Sequence, residues 1–500
     1  MLRKIRIVLA AIFFALITLL FLDFTGVLHT WFGWMAKIQL LPAVLALNFG
    51  VIALLVVLTL LFGRVYCSVI CPLGVFQDIV SWFSGRRKGK KNRFGFKKEN
   101  KWLRYGVLAV FVVLMIFGLN SIAILIAPYS AYGRIAANLF APIYGWGNNL
   151  LALIAARADS YAFYSTDVYI KSIPVFIVAA VTFVVIVVIA WKGGRTWCNN
   201  ICPVGTVLGF LSRYSMFAPV INTEKCVNCG VCGKRCKASC IDTANHKIDY
   251  SRCVVCMDCL DNCKSGAIEY KLRCKAVACS CKPSEGKADD SGADKSRRNF
   301  IVTGVATLAA ATLKAQEEHV DGGLAVIEDK KVPQREVSIK PAGSQSLKHF
   351  SQHCTGCQLC VAECPNRVLR PSTKLETFMQ PEMSYENGYC RPECTRCSEV
   401  CPAGAIRKVS REEKSSIQIG HAVLIPENCI VNRDGVNCGN CARHCPAGAI
   451  HMVEKEDGSG LKVPAVNPGK CIGCGACENL CPSRPLSAIY VEGHLVHKEK

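Results

Sequence analysis

The stretch KCIGCGACENLCP, residues 470–482, decides how the rest of the chain is read. Cys471, Cys474, Cys477 and Cys481 follow one another at spacings of three, three and four, and Pro482 comes next. Thiolates in this arrangement wrap a cubane [4Fe–4S] cluster, three from the tight run and the fourth reaching across to the other cluster of a pair. A lone CxxC would say little, but this spacing recurs. HCTGCQLCVAECP holds Cys354, Cys357, Cys360 and Cys364. YCRPECTRCSEVCPAGAI holds Cys390, Cys394, Cys397 and Cys401, with one extra residue after the first ligand. NCIVNRDGVNCGNCARHCPAGAI holds Cys429, Cys438, Cys441 and Cys445, with a longer insertion there. In CPAGAI the isoleucine is expected to start a short strand. These four runs imply four clusters, paired between adjacent runs by preference, with nested pairing as the alternative.

Two more runs stand earlier. KCVNCGVCGKRCK supplies Cys226, Cys229, Cys232 and Cys236, and RCVVCMDCLDNCKSGAI supplies Cys253, Cys256, Cys259 and Cys263. The crossed assignment joins Cys226, Cys229 and Cys232 with Cys263, and Cys253, Cys256 and Cys259 with Cys236. Lys237 and Lys264 stand where proline is usual, and Cys240 is an alternative to Cys236. The total expected is six [4Fe–4S] clusters. Cys274, Cys279 and Cys281 follow in a basic tail, where they read equally well as metal ligands or free thiols.

Composition supports metal over the alternatives. The 500 residues contain 32 cysteines. Disulfide scaffolds are short secreted chains without membrane spans. Structural zinc sites split into two well-separated CxxC pairs rather than packing four cysteines into eleven residues. The formal net charge of +22 counts cysteine as neutral. Six thiolate-bound clusters at about −2 each would bring it to roughly +10, so the basic excess does not require a nucleic-acid partner.

Four stretches, 7–22, 38–62, 102–127 and 173–191, are long and apolar enough to span a bilayer. The basic residues between the second and third, from Arg86 to Lys101, place the N-terminus, the 64–101 loop and the chain after Trp191 in the cytoplasm. The segment 128–172 then reads as an outer loop, its Tyr129, Tyr132, Phe140, Tyr144 and Trp146 forming an interfacial aromatic belt. Two similar motifs, GRVYCSVICPLG and GRTWCNNICPVG, imply an internal repeat. Their Cys67, Cys71, Cys198 and Cys202 suit a shared metal site, a redox dithiol or plain buried thiols. Arg64 and Arg195, three places before each first cysteine, would favour thiolate or an anionic cluster.

Residues 282–299 form a polar linker, and SRRNFIVTGVATLAAATLKA, residues 296–315, resembles a twin-arginine export signal placed internally. Export of a folded, cluster-loaded module fits that signal. The reading is of a multidomain chain. Residues 1–215 form a four-helix transmembrane bundle and 216–285 a cytoplasmic two-cluster module. Residues 286–345 form a linker and 346–500 a four-cluster module working outside the membrane. Both modules are expected to be small α+β bacterial-type ferredoxin domains.

With those motifs in place, residues 1–285 resemble NapH, the membrane ferredoxin-type protein of periplasmic nitrate reductase systems. Residues 296–500 resemble the NapG/MauM ferredoxin-type proteins, so the chain reads as a fusion of the two. The resemblance implies a component of the bacterial cytoplasmic membrane, a quinol dehydrogenase relay from the quinol pool through the clusters to a periplasmic redox partner. Two other readings remain open: a wire from a cytoplasmic ferredoxin-like donor, or a maturation factor that handles metal for a partner oxidoreductase. Asp23 and His29 are the outer-side candidates for a quinone proton acceptor.

Overall fold

The computed structural model describes residues 2–23, 25–85, 94–160, 162–273, 328–455 and 459–499. The twin-arginine segment, Cys274, Cys279, Cys281 and the basic residues 86–93 lie outside the described residues. The N-terminal helix, Leu2–Leu22, is 21 residues of almost unbroken apolar sequence. Its length is about 32 Å, close to the thickness of a bilayer's hydrocarbon core.

Among the described residues three helices are long and apolar enough to cross a membrane: Leu2–Leu22, Pro128–Arg157 and Ile173–Gly193. Two of the four stretches expected to span are broken, yet each still runs between the two modules, with Leu60 bonded to Met216 and Arg104 to Ser251 of the first and Asn120 to Ser351 of the second. The stretch 38–62 is broken between Leu40–Leu45 and Phe49–Phe62, with Leu47 in the left-handed region at φ 50°. The stretch 102–127 is broken between Lys101–Ile116 and Asn120–Ile126, with Gly118 at φ 75°. The expected outer loop at 128–172 instead begins as a 30-residue helix. It starts at Pro128, whose fixed φ suits a first turn, and loosens to a π-turn at Ala136–Phe140. Small residues let it pack closely. A Cβ on Gly133 would meet the Cys357 carbonyl oxygen at 2.4 Å and Phe21 at 2.9 Å. Tyr129 and Tyr132 are fully buried against Phe21, so they are core residues rather than part of an interfacial belt. Tyr144 and Trp146 remain exposed.

The internal repeat is visible in space. Phe49–Phe62 and Ile173–Gly193 both end on a glycine in positive φ, Gly63 at 75° and Gly194 at 64°. Each is followed by a buried arginine, a CxxxC segment and a helix opened by proline, Pro72–Gly85 and Pro203–Ser212.

The first ferredoxin module pairs Phe217–Ile221 with Ile268–Leu272, antiparallel, Phe217 opposite Leu272, beside a short ladder of Ile241–Asp242 on Lys247–Ile248. The second module carries three antiparallel pairs: Leu369–Pro371 with Pro381–Met383, Ile450–Glu454 with Lys462–Val466, and Ile417–Leu424 with Ile489–Glu499. Ile450 opens a strand as CPAGAI leads one to expect, whereas Ile406 does not. Residues 328–345 pack on the second module, with Lys330 bonded to the Glu478, Asn479 and Cys481 carbonyls.

The two modules dock at opposite ends of the N-terminal helix. At its start, Arg3 pairs with Asp258 and Asp261 of the first module, at 2.8 and 2.6 Å. Beyond its end, the Thr25 carbonyl accepts from Arg396 of the second module at 3.1 Å. Asn120, Ser121, Asn138 and Lys171 also bond the second module, while Arg64, Arg104 and Asn199 bond the first.

Candidate functional site

The tight cysteine runs fold alike because the backbone makes two left-handed turns inside each. Asn228, Val255, Gly356 and Gly473 stand at φ 52°, 52°, 57° and 77°. Two residues later Gly230, Met257, Gln358 and Gly475 stand at 65°, 62°, 64° and 79° and open the helical turn that carries the third cysteine. Turns of this kind aim successive N–H groups into one concavity, a site for an anion such as an iron–sulfur cluster.

In the first module the runs cross. One enclosed cavity is lined by Cys226, Cys229, Cys232 and Cys263. A second is lined by Cys253, Cys256, Cys259 and Cys236, with Cys240 alongside. The Cys236 and Cys240 sulfurs are 3.5 Å apart. The hydrogen bond from Cys240 pulls the Cys236 thiol down to about 7, whereas Cys240 is pushed well up. Lys237 replaces the usual proline because it is a docking residue. Its ammonium meets Asp258 at 2.9 Å and Asp78 of the membrane half at 3.7 Å, and its carbonyl accepts from the Arg195 amide at 2.9 Å.

The second module pairs adjacent runs. Cys354, Cys357, Cys360 and Cys401 line one cavity, and Cys429, Cys438, Cys441 and Cys481 line another. Cys390, Cys394 and Cys397 are electrostatic neighbours of Cys364. Cys471, Cys474 and Cys477 gather with Cys445. The quartets form a line. The first lies against the membrane half, where a Cβ on Gly356 would meet Ile124 at 2.5 Å. The second and third touch where the Cys390 amide donates to the Cys474 carbonyl at 2.9 Å. Backbone amides donate to sulfur at Cys354, Cys445 and Cys481, at 3.4, 3.2 and 3.3 Å.

These quartets fit a cluster better than a single ion. Thiolates around one zinc at ~2.3 Å stand about 3.8 Å apart. Among the described residues, the one group of three ligand atoms all within 4.8 Å of one another is Asp23, His29 and Glu363, with no cysteine in it. The all-thiol donor set, the wider spacing and the amides aimed at sulfur suit a cubane.

Cys67, Cys71, Cys198 and Cys202 are all buried and are mutual electrostatic neighbours. The two arginines cross between the repeats. Arg64 donates to the Cys198 carbonyl at 3.3 Å and Arg195 to the Cys67 carbonyl at 2.6 Å. Donors also face the sulfurs: Arg64 to Cys67 at 3.7 Å, Gln77 to Cys198 at 3.2 Å and the Gly205 amide to Cys202 at 3.3 Å. Plain apolar cysteines would not gather such donors. Asp78 collects the surrounding charge, with Arg6 at 3.0 Å and Arg195 at 2.8 Å.

At the other end of the bundle, Asp23 does not stand free. Its carboxylate accepts from the Thr25 amide and hydroxyl and from the Gly26 and Leu28 amides, at 2.6 to 3.1 Å. His29 faces Glu363, a residue that sequence reasoning passed over because it sits inside a cysteine run, CVAECP. His353 and His444 bond carbonyls four residues back in their own turns.

A 4Fe-4S binding domain model matches residues 44–91 and 175–220, the two CxxxCP regions. A 4Fe-4S dicluster domain model matches residues 353–405 and 436–484. The methylamine utilization ferredoxin-type protein MauM of Methylobacillus flagellatus is 32% identical over 169 residues, 32% of this chain and 70% of MauM. The ferredoxin-type protein NapH of Haemophilus influenzae is 27% identical over 242 residues, 47% of this chain and 70% of NapH. An uncharacterized protein of Methanocaldococcus jannaschii is 35% identical over 74 residues, 15% of this chain and 29% of its own length. No solved structure matches the chain. The matches support iron–sulfur electron transfer and a chain that joins a NapH-like part to a MauM-like part. At 32% identity over 70% of MauM, the chain belongs to the family of MauM-like ferredoxin-type proteins.

Proposed function

We propose that the protein is a membrane-bound relay that takes electrons from quinol and passes them through six [4Fe–4S] clusters to a redox partner outside the cytoplasmic membrane. Each cluster, when bound, exchanges one electron. Cys226, Cys229, Cys232 and Cys263 would hold one in the cytoplasmic module, and Cys236, Cys253, Cys256 and Cys259 the other. In the outer module the quartets are Cys354, Cys357, Cys360 and Cys401; Cys364, Cys390, Cys394 and Cys397; Cys445, Cys471, Cys474 and Cys477; and Cys429, Cys438, Cys441 and Cys481. Cys67, Cys71, Cys198 and Cys202 form a further metal or redox site between the two repeats.

The observation that carries the reading is the line of quartets running outward from the bundle. It begins where Gly356 packs on Ile124 and continues through the Cys390–Cys474 hydrogen bond. The separation of the modules by a helix of bilayer length supports opposite membrane sides. The chain's own groups hold this path in place. Glu478, buried, accepts from the Val491 amide at 2.8 Å and pairs with Arg335 beneath the third quartet.

The test is anaerobic. Purified protein should carry about 24 irons with matching acid-labile sulfide, as six four-iron clusters require. A short-chain quinol should reduce the clusters in membranes, read by electron paramagnetic resonance. Intact clusters that quinol leaves oxidised would refute the relay.

The docked first module favours a second reading, entry of electrons from a cytoplasmic ferredoxin-like donor. Arg64 bonds the Ser251 carbonyl at 3.2 Å and Asn199 the Ala238 carbonyl at 3.1 Å, placing that module directly on the four-thiol site. Reduction of the outer clusters by a soluble ferredoxin in quinone-depleted membranes would select it.

A further inference from the structure

A cavity of about 580 Å³ lies between residues 25–37 of the membrane half and the second module. Drug-sized ligand sites run from about 300 to 1,000 Å³. It is open to the outside: Val27, Trp31 and Trp34 line it and are 59%, 75% and 51% exposed, beside the charged Lys37, Arg396, Glu399 and Lys408. Tryptophans so placed at the end of a spanning helix mark a membrane interface. The inner wall has a different character. Leu359, Glu363 and Val400 line it, and each stands immediately before a quartet cysteine, Cys360, Cys364 and Cys401. An occupant would therefore touch residues directly bonded to ligands of the first two quartets.

The inner end also holds buried polar atoms that make no hydrogen bond. The His29 and Glu363 side chains are 7% and 2% exposed, and Nε2 stands 3.8 Å from Oε2, too far to bond. Both His29 nitrogens and Glu363 Oε2 lack any hydrogen-bond partner. Buried polar atoms are nearly always satisfied, so atoms left unmatched and facing a cavity point to a ligand. The other Glu363 oxygen is held near Arg396 at 3.5 Å. Gly26, at φ 81°, has its missing Cβ 2.7 Å from Glu363, so the loop approaches this wall as only glycine can. Burial lowers the His29 pKa, so an imidazolium formed here would lean on the facing Glu363 carboxylate. A divalent cation is the competing occupant. It would need Asp23, whose two oxygens already accept four hydrogen bonds, which makes Asp23 a positioning residue for the loop.

We propose that this cavity is the quinol oxidation site, with His29 as proton acceptor and Glu363 Oε2 accepting the quinol hydroxyl's hydrogen bond. The inference rests on the relay reading and gives it a location. Quinol loses two protons and two electrons to become quinone. The first proton goes to His29 Nε2 and the second to water in the cavity. The electrons leave one at a time to the one-electron iron–sulfur acceptors held by the adjacent quartets. The isoprenoid tail leaves past Trp31 and Trp34 into lipid.

The test uses the full chain in membranes and an azidoquinone photolabel. Label should fall within residues 25–37 and be displaced by an unlabelled short-chain quinol. His29→Gln should slow quinol-driven cluster reduction at least about 100-fold, the scale of a lost general base. Iron content and dithionite reduction should stay as in the parent. Thr30→Trp, which fills the cavity, should abolish labelling. Equal quinol-driven rates in parent and His29→Gln, or label confined to other segments, would overturn the site while leaving the relay standing. A stoichiometric divalent metal lost on His29→Gln would also overturn it. A parent that quinol cannot reduce, yet labels within 25–37, would refute the relay and keep the cavity as a quinone-binding site.

Discussion

Asp78→Asn is the most informative single substitution in the membrane half. The Asp78 side chain is 9% exposed and faces three cations: Arg6 at 3.0 Å, Arg195 at 2.8 Å and Lys237 at 3.7 Å. Asparagine keeps the shape and removes the charge. Breaking one buried ion pair from one side costs about 3–5 kcal/mol, because the partner stays buried and uncompensated. Lys237 belongs to the first ferredoxin module and keeps Asp258 at 2.9 Å, so only part of that cost falls on docking. With about 1.4–3 kcal/mol of it at the docking face, and about 1.4 kcal/mol per tenfold, the undocked population should rise roughly 10- to 100-fold. Hydrogen exchange reads this directly. The Arg195 amide donates to the Lys237 carbonyl and the Met216 amide to the Leu60 carbonyl, at 2.9 and 2.7 Å, and both bonds break on undocking. Their protection should fall by that factor, while amides of Ile417–Leu424 in the other module stay unchanged. Equal protection in parent and variant would refute the idea that this charge cluster holds the module.

Other expectations follow from single contacts. A Cβ at Gly74 or Gly205 would stand 2.3 or 2.2 Å from the Cys67 or Cys198 carbonyl oxygen, so either change to alanine should cost at least about 1–3 kcal/mol, read as a lower thermal midpoint in detergent. Cys236→Ser should remove about four irons and Cys240→Ser none, since Cys236 is the sulfur that neighbours Cys256 and Cys259; iron analysis separates them. His497 is held neutral by burial, its pKa lowered to about 4 from 6.5. The unfolded chain binds that proton first, so stability of the Ile489–Glu499 strand is full above about 6.5 and falls as pH drops toward 4, by a few kcal/mol at most. His497→Gln should flatten that slope in hydrogen exchange. Arg3→Ala should matter little, under about 1 kcal/mol and less in high salt, because Arg3 is 37% exposed.

The cysteine groupings were legible because they are set by short-range geometry. Spacings of three, three and four force the same pair of left-handed turns, and the crossed pairing of Cys232 with Cys263 follows from that fold. Spacing alone leaves adjacent and nested pairing of the four later runs open, and the cavities lined by Cys401 and Cys481 each draw on neighbouring runs. The helix Pro128–Arg157 was not legible. Its glycines, asparagines and tyrosines have poor intrinsic helix preference. What holds it is packing on Phe21 and on the Cys357 loop, more than two hundred residues away in the chain. Glu363 was missed for the same reason. Within CVAECP it looks like a solvent-facing residue between two ligands, and only the docked loop at Gly26 turns it into a buried wall. The twin CxxxCP arginines were read as acting on their own motifs, but each also reaches the opposite one.

That exchange of guanidinium groups makes the two repeats interdependent. Each supplies the donor that caps the other's cysteine loop, so neither closes its loop alone. Expressing residues 1–100 without 101–273 should give a fragment unable to complete its own loop, and adding the missing piece in trans should restore it.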